Sequence, residues 1–588
     1  MNIQSSRYRE VHARSLADPE GFWGEAARGI DWIEPAKKVF DPSMGLYGRW
    51  FAGAVVNTCY NALDRHVAGG RGNQLALIHD SPLAGSVTKL TYAEMLHEVR
   101  TLAAVMADFG VAKGDRVILY MPMVPEAMVA MLACARIGAV HSVVFGGFAA
   151  KELATRIEDA KPKLIFSASC GLEPGRIVQY KPLLDEAIKL SSVKPQACVI
   201  LQRPQQACEL TAGRDHDWAE LRAKAVAAKK SVPCVPVLAT DPLYILYTSG
   251  TTGKPKGVIL THNNLFWASV GLTHTIDWGY RYRFLSVAPL FHVGGLAPIF
   301  GNIHSGCTTV FMPNFDPVKI WDLIVAEKIN FMMTVPTMLQ FMLFAPDIQK
   351  KDLSSIKHIV CGGSAVPLSL ITTYDKMGIK IDQVYGITEY AGAVTFWTPD
   401  MGMDKSNSMG KTVFHGHVKI FRPDSHEELP VGEVGEIGCF GPQVFKGYWN
   451  NPEATAAAIK NGYYRSGDMG SLDEGGFLYV VDRLKDMIIS GSESIYPAEL
   501  EQVILTHPGV AEVAVVGKPN AKWGEIPVAL IVSRPGAEVT AEDIIALCRK
   551  NLASYKCVKE VQFISAIPKN AVGKVLKKEL RAQLASGG

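Results

Sequence analysis

An α/β protein of two or more domains is what this sequence predicts, and three observations carry that reading. The chain has 588 residues, more than a single ordinary core supports. Between Arg116 and Phe145 an apolar run, a helical period and a second apolar run follow at the spacing of a βαβ unit with a parallel sheet. Beyond Lys485 the chain has strands and a capped helix of its own, the signs of a compact second domain.

Composition narrows the function classes. Hydrophobic residues make up 48% and charged residues 20%, the balance of a soluble globular protein. Lys plus Arg number 60 against 57 Asp plus Glu, a net charge of +3, which gives no reason to expect nucleic acid or an anionic membrane as partner. Any cationic site must be local. Met1 to Trp23 mixes Arg, Glu, His and Asp without an apolar core, unlike a signal peptide. The most apolar stretch, Ala127 to Val144, contains Arg136 and His141 and reads as helix then strand, not as a membrane span. The 11 cysteines are scattered without a C-x-x-C pair, against a zinc site or a disulfide framework, and free thiols suit a reducing cytoplasm. Neither H-E-x-x-H nor G-x-G-x-x-G occurs, which weakens metalloprotease and Rossmann readings.

Residues 1 to about 70 read as a partly helical collar rich in aromatics (Phe22, Trp23, Trp32, Tyr47, Trp50, Phe51) that packs against the downstream chain. Thr91 and Glu94 form a capping box before a helix with apolar positions Met95, Val99, Leu102, Met106 and Phe109, stopped by Gly110. Arg116–Met121 is a strand, Pro125–Ile137 a helix and Val140–Phe145 a strand. Gly146-Gly147 then stands at a strand C-terminal end, as a ligand crevice or as a plain strand-to-helix turn. Leu164–Ala168 repeats the strand pattern with Gly171 to Arg176 at its end, and residues 180–240 read as connecting sequence.

Next, Leu243–Tyr247 reads as a buried strand leading into Thr248-Ser249-Gly250-Thr251-Thr252-Gly253-Lys254-Pro255-Lys256-Gly257. Glycines let backbone N–H groups turn toward an anion, the hydroxyls add donors, and two lysines within three positions add charge for a polyphosphate. The spacing is not Walker A, since Pro255 and Gly257 stand where that motif has glycine and Ser/Thr. Pro255 also blocks a helix directly under the phosphate, so the geometry differs from a P-loop NTPase.

Downstream, Ala288 to Gly295 places His292 and two glycines after a strand, and Phe331–Val335 and His358–Val360 read as further strands. The latter leads into Cys361-Gly362-Gly363-Ser364-Ala365. In Tyr385-Gly386-Ile387-Thr388-Glu389 a carboxylate beside a hydroxyl and a glycine suits Mg²⁺ on ATP oxygens. Asp468 is read as a ribose acceptor or as an exposed loop aspartate. Phe477–Val481 reads as a strand before Arg483 and Lys485. Strands near 511–516 and 528–532 come next, then a helix near 542–552 capped by Thr540 and Asp543, and a Pro/Gly-flexed turn ending in Lys574. Alone, Lys574 would be one more surface charge.

Together these motifs closely resemble the adenylate-forming enzymes: acyl-CoA synthetases, firefly luciferase and peptide-synthetase adenylation domains. They occur in the family's order and along its full length, and Trp50 through His66 is similar to the N-terminal segment of acetyl- and propionyl-CoA synthetases. The resemblance implies a large N-terminal domain of packed α/β subdomains (residues 1–484, with 1–70 the collar) and a small mobile α+β domain (485–588) turning about Lys485. It implies ATP, Mg²⁺ and CoA as cofactors and an acyl-adenylate as intermediate. On that resemblance Thr248 through Lys254 and Lys256 hold phosphates, Gly363, Ser364, Ala365, Tyr385 and Gly386 hold the nucleotide with Tyr385 on adenine, Thr388 meets phosphate, and Glu389 binds magnesium. Asp468 takes the ribose, Arg483 the nucleotide, and Lys574 is catalytic with Lys256, Thr388 and Glu389. His292, Val293, Gly294, Gly363, Gly386 and Ala391 would line the acyl pocket. Gly146, Gly147, Arg176, Ser490 and Gly491 would serve CoA. Glu173 departs from the short-chain pattern, which has an arginine there.

The resemblance further implies an AMP-forming ligase of fatty acid metabolism, and the thiols suit the cytoplasm. Up to about residue 260 the chain is similar to propionyl-CoA synthetases, and beyond it to medium-chain, long-chain or aromatic acid ligases. Short-chain enzymes have a tryptophan where Gly386 stands, and removing an indole opens room for several methylenes at about 0.8 kcal/mol each. An acid larger than propionate, medium-chain, branched or aromatic, is therefore expected. The alternatives are a short-chain (acetyl/propionyl) synthetase and an adenylating enzyme with a non-CoA acceptor. A homodimer, and a lysine acetyltransferase or deacetylase acting at Lys574, are admitted as partners; nucleic acid is not.

Overall fold

The computed structural model describes residues 8–44, 48–146, 149–248, 255–276, 278–364, 366–490, 493–552, 556–570 and 574–586. By internal contacts the chain forms two compact units. The first is Met1–Ser406, Gly410–His417 and Cys439–Tyr464; the second is Asn407–Met409, Val418–Gly438 and Arg465–Gly588. Residues 407–409, 418–438 and 465–484 thus pack with the C-terminal part, although the sequence reading groups them with the N-terminal one.

Two large sheets organise the first unit. In one the strand order is Asp215–Asp217, Ala197–Leu201, Leu164–Ala168, Arg116–Met121, Val140–Phe145, Pro242–Thr248, Lys256–Thr261, Gly447–Tyr448. It is parallel through Pro242–Thr248 and antiparallel beyond. Strands buried on both faces read as unbroken apolar runs, which is why Arg116–Met121 and Leu164–Ala168 are evident from sequence. The helix Pro125–Ile137 starts on a proline, ends at Gly138 in the left-handed region (φ 72°), and is buried along most of its length.

The second sheet runs Lys411–Thr412, Gly392–Trp397, Ile381–Ile387, His358–Gly362, Phe331–Thr334, Arg283–Ser286, Thr308–Phe311, Leu75–Ser81, Ser86–Thr91. Its middle is parallel. The chain therefore delivers several strand C-terminal ends side by side, the place where open α/β sheets hold ligands. The capping box of Thr91 and Glu94 is formed and starts the helix Tyr92–Asp108.

Residues 180–240 correct the sequence reading. They hold a helix (Tyr180–Leu190), two strands of the first sheet (Ala197–Leu201 and Asp215–Asp217) and a helix (Trp218–Ala227). The apolar run Ala197–Leu201 was the local signal for the first of these strands. The aromatic collar packs on the helix His262–Thr275. Trp23 lies edge-on to Trp267 at 4.8 Å between centroids, and Phe51 stacks on Trp267 at 5.6 Å. Each such pair contributes about 0.5–1.5 kcal/mol beyond its buried area. That helix comes directly after the strand leaving the Gly/Thr/Lys loop, so the collar braces the loop's exit.

In the second unit the strands Val510–Asn520 and Gly524–Ser533 pair antiparallel, and Glu560–Phe563 adds parallel to the latter. Alternate residues serve two cores: Val513 and Val515 face Leu500, Ile504 and Ile544, while Ala514 and Val516 face Leu580 and Leu584. Thr540 and Asp543 form the expected capping box ahead of Ala541–Asn551.

Candidate active site

The Gly/Thr/Lys loop is carried by a β-hairpin. Strand Pro242–Thr248 pairs antiparallel with Lys256–Thr261, Thr248 opposite Lys256 and Tyr247 opposite Gly257. Pro255 is followed at once by strand, as its missing N–H and fixed φ lead one to expect, and no helix starts beneath the loop. Gly257 sits where strands come closest: a Cβ there would lie 2.8 Å from Ile245 Cγ2 and 3.2 Å from Trp449 Cβ. Ser249, Gly250, Thr251, Thr252, Gly253 and Lys254 lie outside the described residues, as do Gly147, Ala365 and Gly491.

Lys256, at the hairpin's exit, faces Glu389 and Tyr448. Tyr448 donates its hydroxyl to Glu389 Oε1 at 2.9 Å, and the Lys256 ammonium lies 4.8 Å from the centre of the Tyr448 ring. Tyr464 also hydrogen-bonds to Glu389. Loss of hydration raises the Glu389 carboxyl above its ordinary value, against the opposing pull of the hydrogen bonds and of Lys256. Phe445 N–H donates to Glu389 O at 2.8 Å, tying the turn Thr388–Tyr390 to the segment that carries Tyr448. Glu389, half-buried, and its sequence neighbour Thr388 offer oxygen donors only, the kind Mg²⁺ takes together with phosphate oxygens, so the residue types fit that ion.

Glycine is required at several of the neighbouring strand ends. Gly362 pairs with Val384, so Gly363 and Ser364 emerge exposed beside Tyr385 and Gly386. Gly363 has φ 84°. A Cβ on Gly386 would meet Gly392 O at 2.7 Å, so a close backbone approach demands this glycine whatever the cleft holds. Gly294 would bring a Cβ to 3.4 Å from Met333 Sδ. His292 is exposed just before the helix Val293–His304, and its Nδ1 accepts from Gly294 N–H at 3.0 Å. Val293 is buried. Ala391 is fully buried, with φ 54°.

Within the second unit, Asp468 and Arg483 are cross-strand partners, with Arg483 Nε 3.3 Å from Asp468 Oδ1. Asp468 is a buried strand residue, which corrects the exposed-loop alternative. Lys574 keeps surface exposure, but its ammonium is partly desolvated and repelled by Arg483 and Lys485. Asp468 and Asp486 offset this only in part, and its pKa is pushed down to about 8. Lys574 N–H donates to Asn570 Oδ1 at 2.8 Å. Lys485 is exposed in the short turn Leu484–Asp486, and Ser490 ends the strand Ile488–Ser490.

Two of the residues expected to serve CoA are committed elsewhere. The Tyr180 ring packs so close that a Cβ on Gly146 would fall 2.1 Å from it, and one on Gly171 2.3 Å from its hydroxyl. Glycine at these strand ends therefore answers to Tyr180. Arg176 is opposite Glu173 across a two-stranded hairpin and pairs with it at 2.6 Å.

The AMP-binding enzyme model matches residues 63–449, and the AMP-binding enzyme C-terminal domain matches residues 499–574. The chain belongs to the AMP-binding enzyme family. Residues 8–62 also match the acetyl-coenzyme A synthetase N-terminus, which accounts for the collar. Acyl-CoA synthetase short-chain family member 3, mitochondrial, of Homo sapiens is 35% identical over 98% of this chain and 87% of its own length. Long-chain-fatty-acid–CoA ligase FadD13 of Mycobacterium tuberculosis is 37% identical over 84% of this chain and 93% of its own. The solved structure of ATP-bound MatB from Rhodopseudomonas palustris aligns with TM-score 0.78 and 28% identity, covering 90% of this chain and 98% of that one. The fold is thus that of the adenylate-forming enzymes, a large N-terminal domain with a small C-terminal one, and the family's acyl-CoA synthetases are ligases that use ATP and CoA. No described helix is long and apolar enough to cross a membrane.

For an AMP-binding enzyme, the first unit brings Thr248, Lys256, Thr388 and Glu389 onto neighbouring elements, and the second brings Asp468, Arg483 and Lys574 together. Sequence reading missed Tyr448 and Tyr464. Tyr448 sits on a two-residue strand 59 positions after Glu389, and no local periodicity reports a contact of that range.

Proposed function

We propose that this enzyme is an AMP-forming acyl-CoA synthetase for a carboxylic acid larger than propionate (medium-chain, branched or aromatic), working through an acyl-adenylate. The observation that carries the reading is that Lys256, on the exit strand of the hairpin, acts on Glu389, which follows Thr388 in the turn Thr388–Tyr390. A carboxylate oxygen of the acid attacks the α-phosphorus of ATP, the bond to the bridging oxygen breaks, and pyrophosphate leaves. Negative charge grows on the phosphoryl oxygens, where Lys256, the Thr388 hydroxyl and Lys574 supply fixed positive charge and donors. Magnesium held at Glu389 would neutralise phosphate oxygens. Asp468 accepts ribose hydroxyls and Arg483 steadies the nucleotide. The CoA thiol then attacks the acyl carbonyl and AMP departs, with Lys485 as the pivot that exchanges Lys574 for the Ser490 segment between the two steps.

The size assignment rests on Gly363 and Gly386, which put no side chain at two strand ends of one sheet, and on Gly294 in the first turn of the helix Val293–His304. The short-chain reading keeps one observation in its favour, the 35% identity to a short-chain family member over nearly the whole chain. We place the enzyme in a reducing compartment, the cytoplasm, because none of its 11 cysteines is in a disulfide. The deciding experiment is acyl-CoA and AMP formation with acids from acetate through octanoate, isobutyrate and benzoate. A maximum at a longer, branched or ring acid is expected. A maximum at acetate or propionate overturns the size assignment, and AMP without acyl-CoA overturns the acceptor.

A further inference from the structure

We propose that Tyr448 is a positioning residue that keeps Lys256 and Glu389 from neutralising each other before ATP binds. The inference rests on the roles given to those two residues above.

A lysine and a half-buried carboxylate within electrostatic reach tend to close into an ion pair, the more strongly as water is excluded. Such a pair would be unproductive here, because it withdraws the cation from the phosphates and the carboxylate from the metal that accompanies them. Tyr448 satisfies both groups separately. Its hydroxyl takes one oxygen of Glu389, and its ring face holds the Lys256 ammonium. A cation–π contact restrains the ammonium by charge without consuming its N–H donors, so these stay available to phosphate oxygens. The two hydroxyls that reach Glu389, those of Tyr448 and Tyr464, likewise leave the carboxylate with acceptor capacity to spare.

The tyrosine is itself held firmly, as a positioning residue must be. Its backbone pairs with Val258 of the strand that begins at Lys256. Its N–H donates to Thr455 Oγ1 at 2.9 Å, and the next residue, Trp449, donates its N–H to Gly257 O at 2.7 Å. Phe445 packs edge-on to the ring at 4.8 Å, and the Tyr464 hydroxyl bonds to that of Tyr448. The ring is therefore registered to the same strand as the lysine it restrains.

The test is calorimetric binding of ATP to the full chain, with Mg²⁺ and with EDTA, alongside ATP–pyrophosphate exchange. Tyr448→Phe keeps the ring and removes the hydroxyl. It should weaken Mg·ATP binding about tenfold, as loss of a hydrogen bond to a charged group does, and leave metal-free ATP binding unchanged. Tyr448→Leu removes the ring too, so Lys256 closes onto Glu389 and metal-free binding weakens as well. Adding Glu389→Gln to Tyr448→Leu should restore metal-free binding, because nothing then captures the lysine. Equal metal-free affinities for Tyr448→Leu with and without Glu389→Gln would overturn the proposal, as would a Tyr448→Phe variant that binds Mg·ATP like the parent. Should Tyr448→Leu not fold, Tyr448→Phe decides alone. If Lys256→Ala and Glu389→Gln by themselves leave binding and exchange at parent values, the assignment of the site has failed and not the role of Tyr448.

Discussion

Tyr247 donates its hydroxyl to Asp159 Oδ2 at 2.6 Å, which ties the strand entering the phosphate hairpin to the helix Ala150–Ala160. The Arg156 guanidinium lies 5.4 Å from the same ring. Asp159 also receives, on its backbone carbonyl, Trp449 Nε1 at 3.2 Å and Asn450 Nδ2 at 3.0 Å. Because Trp449 N–H donates to Gly257 O, one aspartate residue reaches both strands of the hairpin.

Tyr247→Phe or Asp159→Asn should therefore loosen the base of the loop. A hydrogen bond to a charged group is worth about 1.5–3 kcal/mol, so a lower unfolding midpoint is expected together with a KM for ATP raised several-fold. The turnover number should change less, since neither side chain is assigned to phosphate. ATP–pyrophosphate exchange separates the two. Unchanged KM with a lower midpoint would reduce the contact to a stabilising role.

What could be read from sequence tracked the range of the interaction. The strand Arg116–Met121, the helix Pro125–Ile137 and the strand Val140–Phe145 are evident because burial writes itself into consecutive residues. Capping boxes at Thr91 and Thr540 are evident because both partners lie within four positions. Lys256, Thr388, Glu389, Asp468 and Lys574 could be named from motif resemblance, but what each one touches could not. Asp159 meets Tyr247 across 88 positions. Tyr180, which explains Gly146 and Gly171, lies in a stretch that reads as connecting sequence until its strands are seen to join the sheet.

Lys574 should give adenylation an alkaline limb. Its ammonium, pushed down to about 8, is protonated below that value and neutral above it, so its contribution is present at low pH and is lost as pH rises. Adenylation should fall between about pH 7 and 9 with a midpoint near the folded pKa, while thioester formation from preformed acyl-adenylate keeps its rate. Lys574→Arg, which stays charged throughout, should lower the rate but abolish the limb. A limb that persists in Lys574→Arg would assign it to another group.

Glu173 should act against CoA. It holds Arg176 in an ion pair on a hairpin turn where Arg176 is largely exposed, with 70% of its side chain accessible. Exposed pairs contribute under about 1 kcal/mol to folding, so Glu173→Gln should leave the unfolding midpoint in place. It frees the guanidinium for a phosphate and removes a repelling carboxylate. The KM for CoA should therefore fall, most clearly at low ionic strength, with ATP–pyrophosphate exchange unaltered. An unchanged KM for CoA would mean that this hairpin does not meet the nucleotide.

Gly386 has two separable reasons to be glycine. One is the backbone: a Cβ would stand 2.7 Å from Gly392 O and 3.1 Å from Gly392 C, next to Ala391 and Gly392 at φ 54° and 119°. The other is the open wall of the acyl cleft. Gly386→Ala tests the first, because a single methyl meets the facing strand before it can occupy the cleft. It should destabilise by about 1–3 kcal/mol, as overpacking does, and lower turnover for all acids alike without moving the preferred length. Gly386→Trp tests the second. At a similar or larger loss of stability it should shift the optimum toward acetate and propionate, since the indole takes the volume of several methylenes. A folded Gly386→Trp enzyme with the parent's acid profile would remove the wall as a determinant of size and leave the facing carbonyl of Gly392 as the sole reason for this glycine.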